Sequence, residues 1–197
     1  MMSASPKPAD QAPRLLSVNL AVPAAFRLRH GEVQTGIFKE PAPGRVALNR
    51  LTLEGDVQVD KRFHGGPEQA VYVYPSEHYA YFRESLGRPD LSAGFFGENF
   101  TTAGLLEEDV NVGDVFRVGR ALVKVTKPRA PCFKMGLKAG SQAFVGELLE
   151  SRRLGFYLRV LEEGEVGAGD MIVRVATDPE ALTIAQDIER RYFPRPF

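Results

Sequence analysis

The chain has 197 residues, with 25 Lys plus Arg against 25 Asp plus Glu, so its formal net charge is zero. Proteins that coat nucleic acid or adhere to anionic membranes usually carry a basic surplus, so we expect neither kind of partner. Cys132 is the single cysteine, which excludes an internal disulfide and a disulfide-stabilised secreted scaffold. No apolar run approaches the roughly 18 residues that span a bilayer.

The N-terminal residues 1–13 are polar and rich in proline, without the apolar core of a signal peptide, and we expect a disordered tail there. Residues 14–176 predict one mainly β domain. Residues 177–197 predict a C-terminal helix. These features together predict a soluble, cytoplasmic protein.

Short runs of β-branched and aromatic residues, separated by turn residues, follow the tail. The predicted strands are Leu15–Val22, Gly36–Lys39, Arg45–Leu48, Leu51–Leu53, Asp56–Val59, Ala70–Tyr74, Val115–Val118, Ala121–Val125, Phe156–Leu161 and Met171–Val175. Gly119 and Arg120 separate two of these strands by two residues, which is typical of a hairpin turn. The pattern indicates an antiparallel barrel or sandwich.

Three segments have helical spacing, namely Pro75–Leu86, Ser141–Leu154 and Thr177–Phe193. In the last of them, Glu180 follows Thr177 by three residues, which is the spacing of a capping box. We therefore expect the C-terminal helix to begin at Thr177.

Two polar segments are candidates for ligand binding. His64–Pro67 contains Gly65 and Gly66, whose N–H groups can cradle an anion, although a tight loop explains the same residues. Gly97–Thr102 concentrates hydrogen-bonding side chains, and by itself this pattern favours an edge strand with its hydroxyls turned to solvent.

The segment Lys124–Lys138 has five basic residues, no acidic residue and the cysteine. Nearby cations, and a helix that begins near Cys132, favour thiolate over thiol. The alternative is an inert buried cysteine with lysines in solvent. Nucleophilic catalysis with His64 or His78 as the base also stays open. A zinc site is not expected, because the histidines show no metal-binding spacing.

Read in order, seven motifs resemble the MOSC domain family, and in particular its stand-alone bacterial YiiM-like branch. The motifs are Thr35–Lys39, Gly44–Val46, Leu53–Asp60, His64–Pro67, Tyr74–Tyr79, Phe96–Thr102 and Pro128–Lys134. The resemblance covers roughly residues 13–175, and the order of the motifs is far more specific than any single one.

The resemblance implies a MOSC-type β-barrel over residues 14–176 and a molybdenum cofactor, whose pterin dithiolene supplies two sulfurs to the metal. The family's cysteine ligand falls on Cys132, which is therefore the expected metal ligand and catalytic residue. His64 is the second expected catalytic residue, as a residue that lines the site or donates a proton. The expected cofactor-binding residues are Lys39, Arg45, Gly65, Gly66, Asn99, Thr101 and Arg129.

Relatives of this branch are associated with the reduction of N-hydroxylated compounds such as hydroxylaminopurines and amidoximes. That activity implies a small-molecule substrate and an external electron-donor protein, because a cysteine-bound cluster usually needs four cysteines. YiiM-like proteins usually continue into a three-helix module, of which residues 177–197 predict one helix, so a homodimer and the identity of the donor stay open. Two alternatives are a sulfur carrier with a persulfide on Cys132, and a cofactor-binding module without turnover.

Overall fold

The structure is a computed structural model that describes residues 12–21, 24–28, 31–57 and 65–194. The predicted N-terminal tail lies almost wholly outside these residues. His64 and residues 58–63, which include the second half of the predicted strand Asp56–Val59, also lie outside the described residues.

The described part of the chain is mainly β, as predicted. Its strands are β1 (Arg14–Ala21), β2 (Ala24–Leu28), β3 (Gly31–Thr35), β4 (Lys39–Pro41), β5 (Val46–Leu48), β6 (Val71–Pro75), β7 (Phe100–Ala103), β8 (Val115–Val118), β9 (Ala121–Pro128), β10 (Phe156–Glu162), β11 (Gly164–Val166) and β12 (Ile172–Ala176). Its helices are α1 (Tyr79–Ser85), α2 (Phe133–Ala139), α3 (Ala143–Glu150) and α4 (Ile184–Tyr192), with 3-10 turns at Pro67–Gln69 and Ser76–His78.

Eight strands form one mixed sheet in the order β12-β8-β9-β10-β6-β7-β1-β4. Neighbouring strands are antiparallel except β6 and β7, which are parallel. An isolated bridge between Arg14 and Met171 brings the start of β1 beside the start of β12, so the sheet curls back on itself. The mainly β class is confirmed. The expected barrel is not closed in the described structure, because only this single bridge joins β1 to β12.

A single hydrophobic core lies inside the curled sheet and beneath the helices. Alternating residues of β9 and β10 point into it, because successive side chains of a strand lie on opposite faces. Aromatic rings fill the end of the core near α1, where Tyr74 stacks on Phe96 with ring centroids 4.0 Å apart. Ile184 and Ile188 of α4 belong to the same core, so the last described helix is packed on the sheet.

Several elements differ from the prediction. The β2–β3 hairpin and the short strand β11 have no counterpart among the predicted strands, and Leu51–Leu53 forms only a bridge from Leu53 to Leu48. The C-terminal helix begins at Ile184, not near Thr177, because Thr183 and Gln186 form the capping box. The hairpin turn at Gly119 and Arg120 is confirmed.

The segment Gly97–Thr102 also differs. It contains β7, which lies between β6 and β1 in the sheet interior, and the Thr101 and Thr102 side chains are buried. The edge strand with hydroxyls in solvent is therefore wrong. None of the helices in the described residues is long and apolar enough to cross a membrane.

Candidate functional site

Cys132 lies between the end of β9 and the first residue of α2. It occupies the N-cap position with an extended backbone, and its carbonyl accepts the first turn's hydrogen bond from the Met135 N–H at 2.9 Å. Pro128 and Pro131 lack N–H groups and restrict the residues before them, so the chain leaves the strand and turns before the helix begins. A helix does begin directly after Cys132, which is the condition that the dipole argument needs. The Cys132 side chain is half-buried.

A cavity of about 110 Å³ opens beside Cys132. It is lined by residues from the ends of several strands and from the loop before the Pro67–Gln69 turn, so distant parts of the chain meet there. Its polar lining includes Lys39, Asp56, Asn99, Arg129, Lys134 and Tyr157.

One wall of this cavity is a buried ion pair. The Lys39 Nζ donates to both Asp56 carboxylate oxygens, at 2.6 and 2.8 Å, and the Asn99 amide donates to the same carboxylate at 2.8 Å. The Ala21 backbone N–H also donates to Asp56, at 2.7 Å. Burial lowers the pKa of Lys39, while the Asp56 charge opposes that shift. The Lys39–Asp56 pair therefore carries almost no net charge, and these four hydrogen bonds fix its position.

The strand that carries Lys39 is in direct contact with a turn. Gly94 has φ of 87°, and a Cβ there would collide with the Lys39 carbonyl, so only glycine lets the two segments approach.

A buried carboxyl group lies next to this turn. Glu98 is fully buried, and its Oε1 accepts from Tyr79, the Gly94 N–H and Thr101 at 2.5, 2.7 and 2.7 Å. Burial raises the pKa of Glu98 despite these bonds.

Arg129 supplies an unbalanced positive charge to the cavity. Its side chain is only 6% exposed and lies over the Tyr72 ring, 4.9 Å from the centroid. Burial raises the pKa of Tyr72 and of Tyr157, so both phenols are neutral near pH 7. Tyr157 forms a side-chain hydrogen bond with the guanidinium but carries no charge to balance it. The Arg129 Nη1 has no hydrogen-bond partner within the described part of the chain. A buried guanidinium with one nitrogen unsatisfied is costly, and that nitrogen indicates a site for an anionic group.

These features fit the molybdenum cofactor that the resemblance to the MOSC family implies. Among the described residues, no cluster of three or more His, Cys, Asp or Glu side chains could hold a metal ion. A metal beside Cys132 would therefore take most of its ligands from a bound group, and a dithiolene supplies such sulfur ligands. The orphaned Arg129 Nη1 matches the anionic character of a pterin phosphate or dithiolene.

The predicted site residues divide into three groups. Lys39, Gly65, Asn99, Arg129 and Cys132 all line the cavity. Gly66 and Thr101 do not belong to its lining: Gly66 precedes the 3-10 turn, and Thr101 is buried between Asn19 and Glu98.

Two predicted residues lie elsewhere, and one is not described. The Arg45 guanidinium is exposed and donates to Asp170 at 2.9 Å, so it is engaged away from the cavity. His78 is buried 2.7 Å from the Glu107 carboxylate and lines neither cavity near Cys132, so nucleophilic catalysis with His78 as base is not supported. His64 lies outside the described residues.

The sequence did not single out Asp56, Tyr72, Tyr157 or Lys134 as site residues. Asp56 lies in the motif Leu53–Asp60, and only the fold shows that Lys39 and Asn99 meet it. The tyrosines belong to strands whose apolar pattern predicts core positions, so no local signal marks them.

A second cavity of about 490 Å³ adjoins the first. Cys132, Lys134, Tyr157 and Gln69 line both cavities. Cys132 is therefore at the junction, where a group held in one cavity can meet a molecule in the other.

The sequence profile of the MOSC domain matches residues 60–173, which is more than half of the chain. The chain therefore belongs to the MOSC domain family, whose members are associated with molybdenum cofactor binding. Within that family it is similar to stand-alone proteins of the YiiM kind.

Three relatives support this placement. YflK of Bacillus subtilis strain 168 is 48% identical over 170 residues, 86% of this chain and 76% of that protein. YiiM of Escherichia coli K12 is 38% identical over 158 residues, 77% of this chain and 70% of that protein. A protein of Gibberella moniliformis named "Reductase" is 34% identical over 145 residues, 72% of this chain but only 26% of that protein.

A solved structure agrees with these relatives. The crystal structure of YiiM from Geobacillus stearothermophilus has a TM-score of 0.76 and 35% sequence identity, and the match covers 92% of this chain and 84% of that one. The fold and the family therefore agree.

Proposed function

We propose that the chain is a molybdenum-cofactor-dependent reductase of N-hydroxylated compounds, such as hydroxylaminopurines and amidoximes, supplied with electrons by a partner protein. The observation that carries the proposal is the buried Arg129 Nη1, which has no hydrogen-bond partner in the described structure and belongs to a guanidinium that lines the cavity beside Cys132. The name of the Gibberella moniliformis relative supports reductase chemistry in the family.

Each side chain has a distinct task. Cys132 would bind the metal as thiolate, and Arg129 would neutralise an anionic part of the cofactor. The Lys39–Asp56–Asn99 wall is held together by hydrogen bonds among its own side chains. When bound, the cofactor would supply two-electron redox chemistry at a metal. His64 stays a predicted proton donor.

The proposed reduction needs electrons from a reductant other than this chain. Cleavage of the N–O bond consumes two electrons and two protons and gives the amine and water. The single cysteine of the chain is too few for a cysteine-bound iron–sulfur cluster, so we propose that a redox protein delivers the electrons.

Cys132→Ser tests the proposal. Serine keeps the size of the side chain but removes the soft thiolate, so reduction of a hydroxylaminopurine by cofactor-loaded protein should fall by about 100-fold or more. Circular dichroism and thermal unfolding serve as the folding control. Full activity in a folded Cys132→Ser protein would exclude the proposed metal ligand.

A sulfur carrier is the second candidate function. It is favoured by the half-buried position of Cys132 at the junction of two cavities, where a small sulfur donor can reach it. After incubation with a cysteine desulfurase, a carrier should gain about 32 Da on Cys132, the mass of one sulfur. No adduct would eliminate this function. Cofactor binding without reduction of any N-hydroxylated compound would instead leave a binding module.

A further inference from the structure

The second cavity has the size of a small-molecule site. Its volume of about 490 Å³ lies within the roughly 300–1,000 Å³ typical of ligand pockets. Because Cys132 lines both cavities, a molecule in the second cavity is placed beside whatever the first one holds. If the metal-binding end of the cofactor lies in the first cavity beside Cys132, a substrate in the second cavity would reach the metal from there.

Three cations from different elements line this second cavity: Lys127 of β9, Lys134 of α2 and Arg191 of α4. No acidic residue belongs to the lining that the described residues form. Within the described part of the chain, no side-chain hydrogen bond or ion pair engages Lys127 or Lys134.

One hydrogen bond, made by Nε, orients the Arg191 guanidinium. Its Nε donates to Asp187 Oδ2 at 2.7 Å, and Asp187 is almost fully buried. No described residue accepts a hydrogen bond from the Arg191 Nη groups. A guanidinium fixed through Nε presents its two Nη groups as a fork, which suits the oxygens of a phosphate.

Aromatic side chains form the rest of the lining. Tyr157 and Tyr192 lie in the cavity wall, and Phe133 is 48% exposed beside Cys132. Exposed aromatic faces next to cations favour a flat ring that carries a negatively charged group. A free purine base would use the rings but leave the cations without a counterion.

We infer that the second cavity binds a 5′-phosphorylated nucleotide, with its phosphate on Lys127 and Arg191 and its base among Phe133, Tyr157 and Tyr192. The inference rests on the proposed function, and it makes N-hydroxylated purine nucleotides the preferred substrate class, ahead of free bases. The phosphate is not changed in the reaction; only the N–O bond of the base is cleaved, with the electrons and protons given above. The cofactor also carries a phosphate, which is the other group that Lys127 and Arg191 would bind.

The test is calorimetric binding of AMP and of adenosine to cofactor-loaded protein. AMP should bind about tenfold more tightly or better, and its advantage should shrink as NaCl is raised. Equal affinities would overturn the inference. So would AMP binding that occurs only in cofactor-free protein, because the phosphate site would then belong to the cofactor.

Two adjacent arginines give a matched pair of variants. Arg190 also donates to Asp187, at 2.6 Å, but does not line the cavity. Arg191→Gln should lose most of the AMP preference and leave adenosine affinity unchanged, whereas Arg190→Gln should keep the preference. Equal losses in both variants would overturn the inference, since the effect would then come from Asp187 and α4.

Turnover separates this inference from the proposed function. The kcat/KM for N6-hydroxyadenosine 5′-monophosphate should exceed that for the free base, mainly through a lower KM. If the base is reduced well and AMP has no binding advantage, the inference alone fails. If nothing is reduced and the AMP preference remains, the reductase proposal fails and the nucleotide site stands.

Discussion

Arg129 is the residue at which stability and function oppose each other. A buried guanidinium loses its hydration, and the contacts of Arg129 with Tyr72 and Tyr157 replace it only in part, because Nη1 has no partner in the described structure. Arg129 therefore destabilises the empty protein. The same charge becomes favourable when an anionic group enters the cavity. A residue that is costly in isolation is therefore expected to be useful in the loaded protein.

Arg129→Met tests this opposition. Methionine fills most of the space without charge, so the free energy of unfolding of cofactor-free protein should stay level or rise by about 1 kcal/mol. Cofactor retention should fall at least tenfold, measured as bound molybdenum. Arg153→Met is the control, because Arg153 also lies over a tyrosine ring, at 4.2 Å from the Tyr81 centroid, but lines neither cavity. A similar loss of metal in both variants would contradict the role of Arg129.

Lys138 gives a pH dependence at the residue scale. Burial lowers its pKa from 10.5 to about 8, with Lys39 and Arg129 adding to the shift and Glu98 opposing it. Between these two pKa values the unfolded chain binds the proton and the folded chain does not, so stability rises with pH. From pH 8 to pH 10 the Lys138 contribution should improve by about 2 kcal/mol.

Denaturant unfolding of the wild type and of Lys138→Met at pH 8 and pH 10 measures the contribution of Lys138 to the free energy of unfolding. The difference between the two proteins isolates Lys138 from other groups, including Lys39, whose pKa burial also lowers. The Ile37 and Gly94 carbonyls lose a donor in the variant at either pH, so that loss cancels. Parallel changes in the two proteins would show that Lys138 titrates normally.

At the scale of elements, the last helix depends on its cap. The Thr183 hydroxyl accepts from the Gln186 N–H at 3.1 Å, and the Gln186 side chain accepts from the Thr183 N–H at 2.9 Å. This pair fixes the start of α4, which buries Ile184 and Ile188 and carries Arg191 into the second cavity. The cap therefore connects local sequence to the architecture of the site.

Thr183→Ala should lower the free energy of unfolding by about 1 kcal/mol, the usual cost of losing an N-cap. Thr177→Ala is the control, because Thr177 is exposed and makes no hydrogen bond through its side chain in the described structure. Chemical denaturation of the two variants measures both effects. A larger cost for Thr177→Ala would favour the helix start that the sequence predicts.

The same helix shows what the sequence could and could not predict. Thr177 with Glu180 and Thr183 with Gln186 have the same spacing, and only packing on the sheet decides between them. The strands β1, β6, β9, β10 and β12 were predicted because each is a run of β-branched, aliphatic or aromatic residues between turn residues. The neighbours of β7 in the sheet were not predictable, because both lie far away in the chain. The contact with β1 joins Thr101 to Asn19, 82 residues apart, and the contact beside β6 joins Asn99 to Tyr72, 27 residues apart.

At the scale of the whole molecule, the zero net charge hides a strong local asymmetry. The two cavities gather Arg129, Lys134, Lys127 and Arg191, while Asp56 is the one acidic residue of their described lining and is already paired with Lys39. The basic segment around Cys132 predicted part of this cluster. The contributions of Lys39 and Arg191 depend on the fold, because they are far from Cys132 in the chain.

Molybdenum content is the measurement that tests the central claim most directly. Protein purified from a host that makes the cofactor should contain about one molybdenum per chain by elemental analysis, and Cys132→Ser should contain almost none. Wild-type protein from a host that cannot make the cofactor is the control for adventitious metal. Folded wild-type protein without molybdenum from the competent host, still able to reduce a hydroxylaminopurine, would contradict the account.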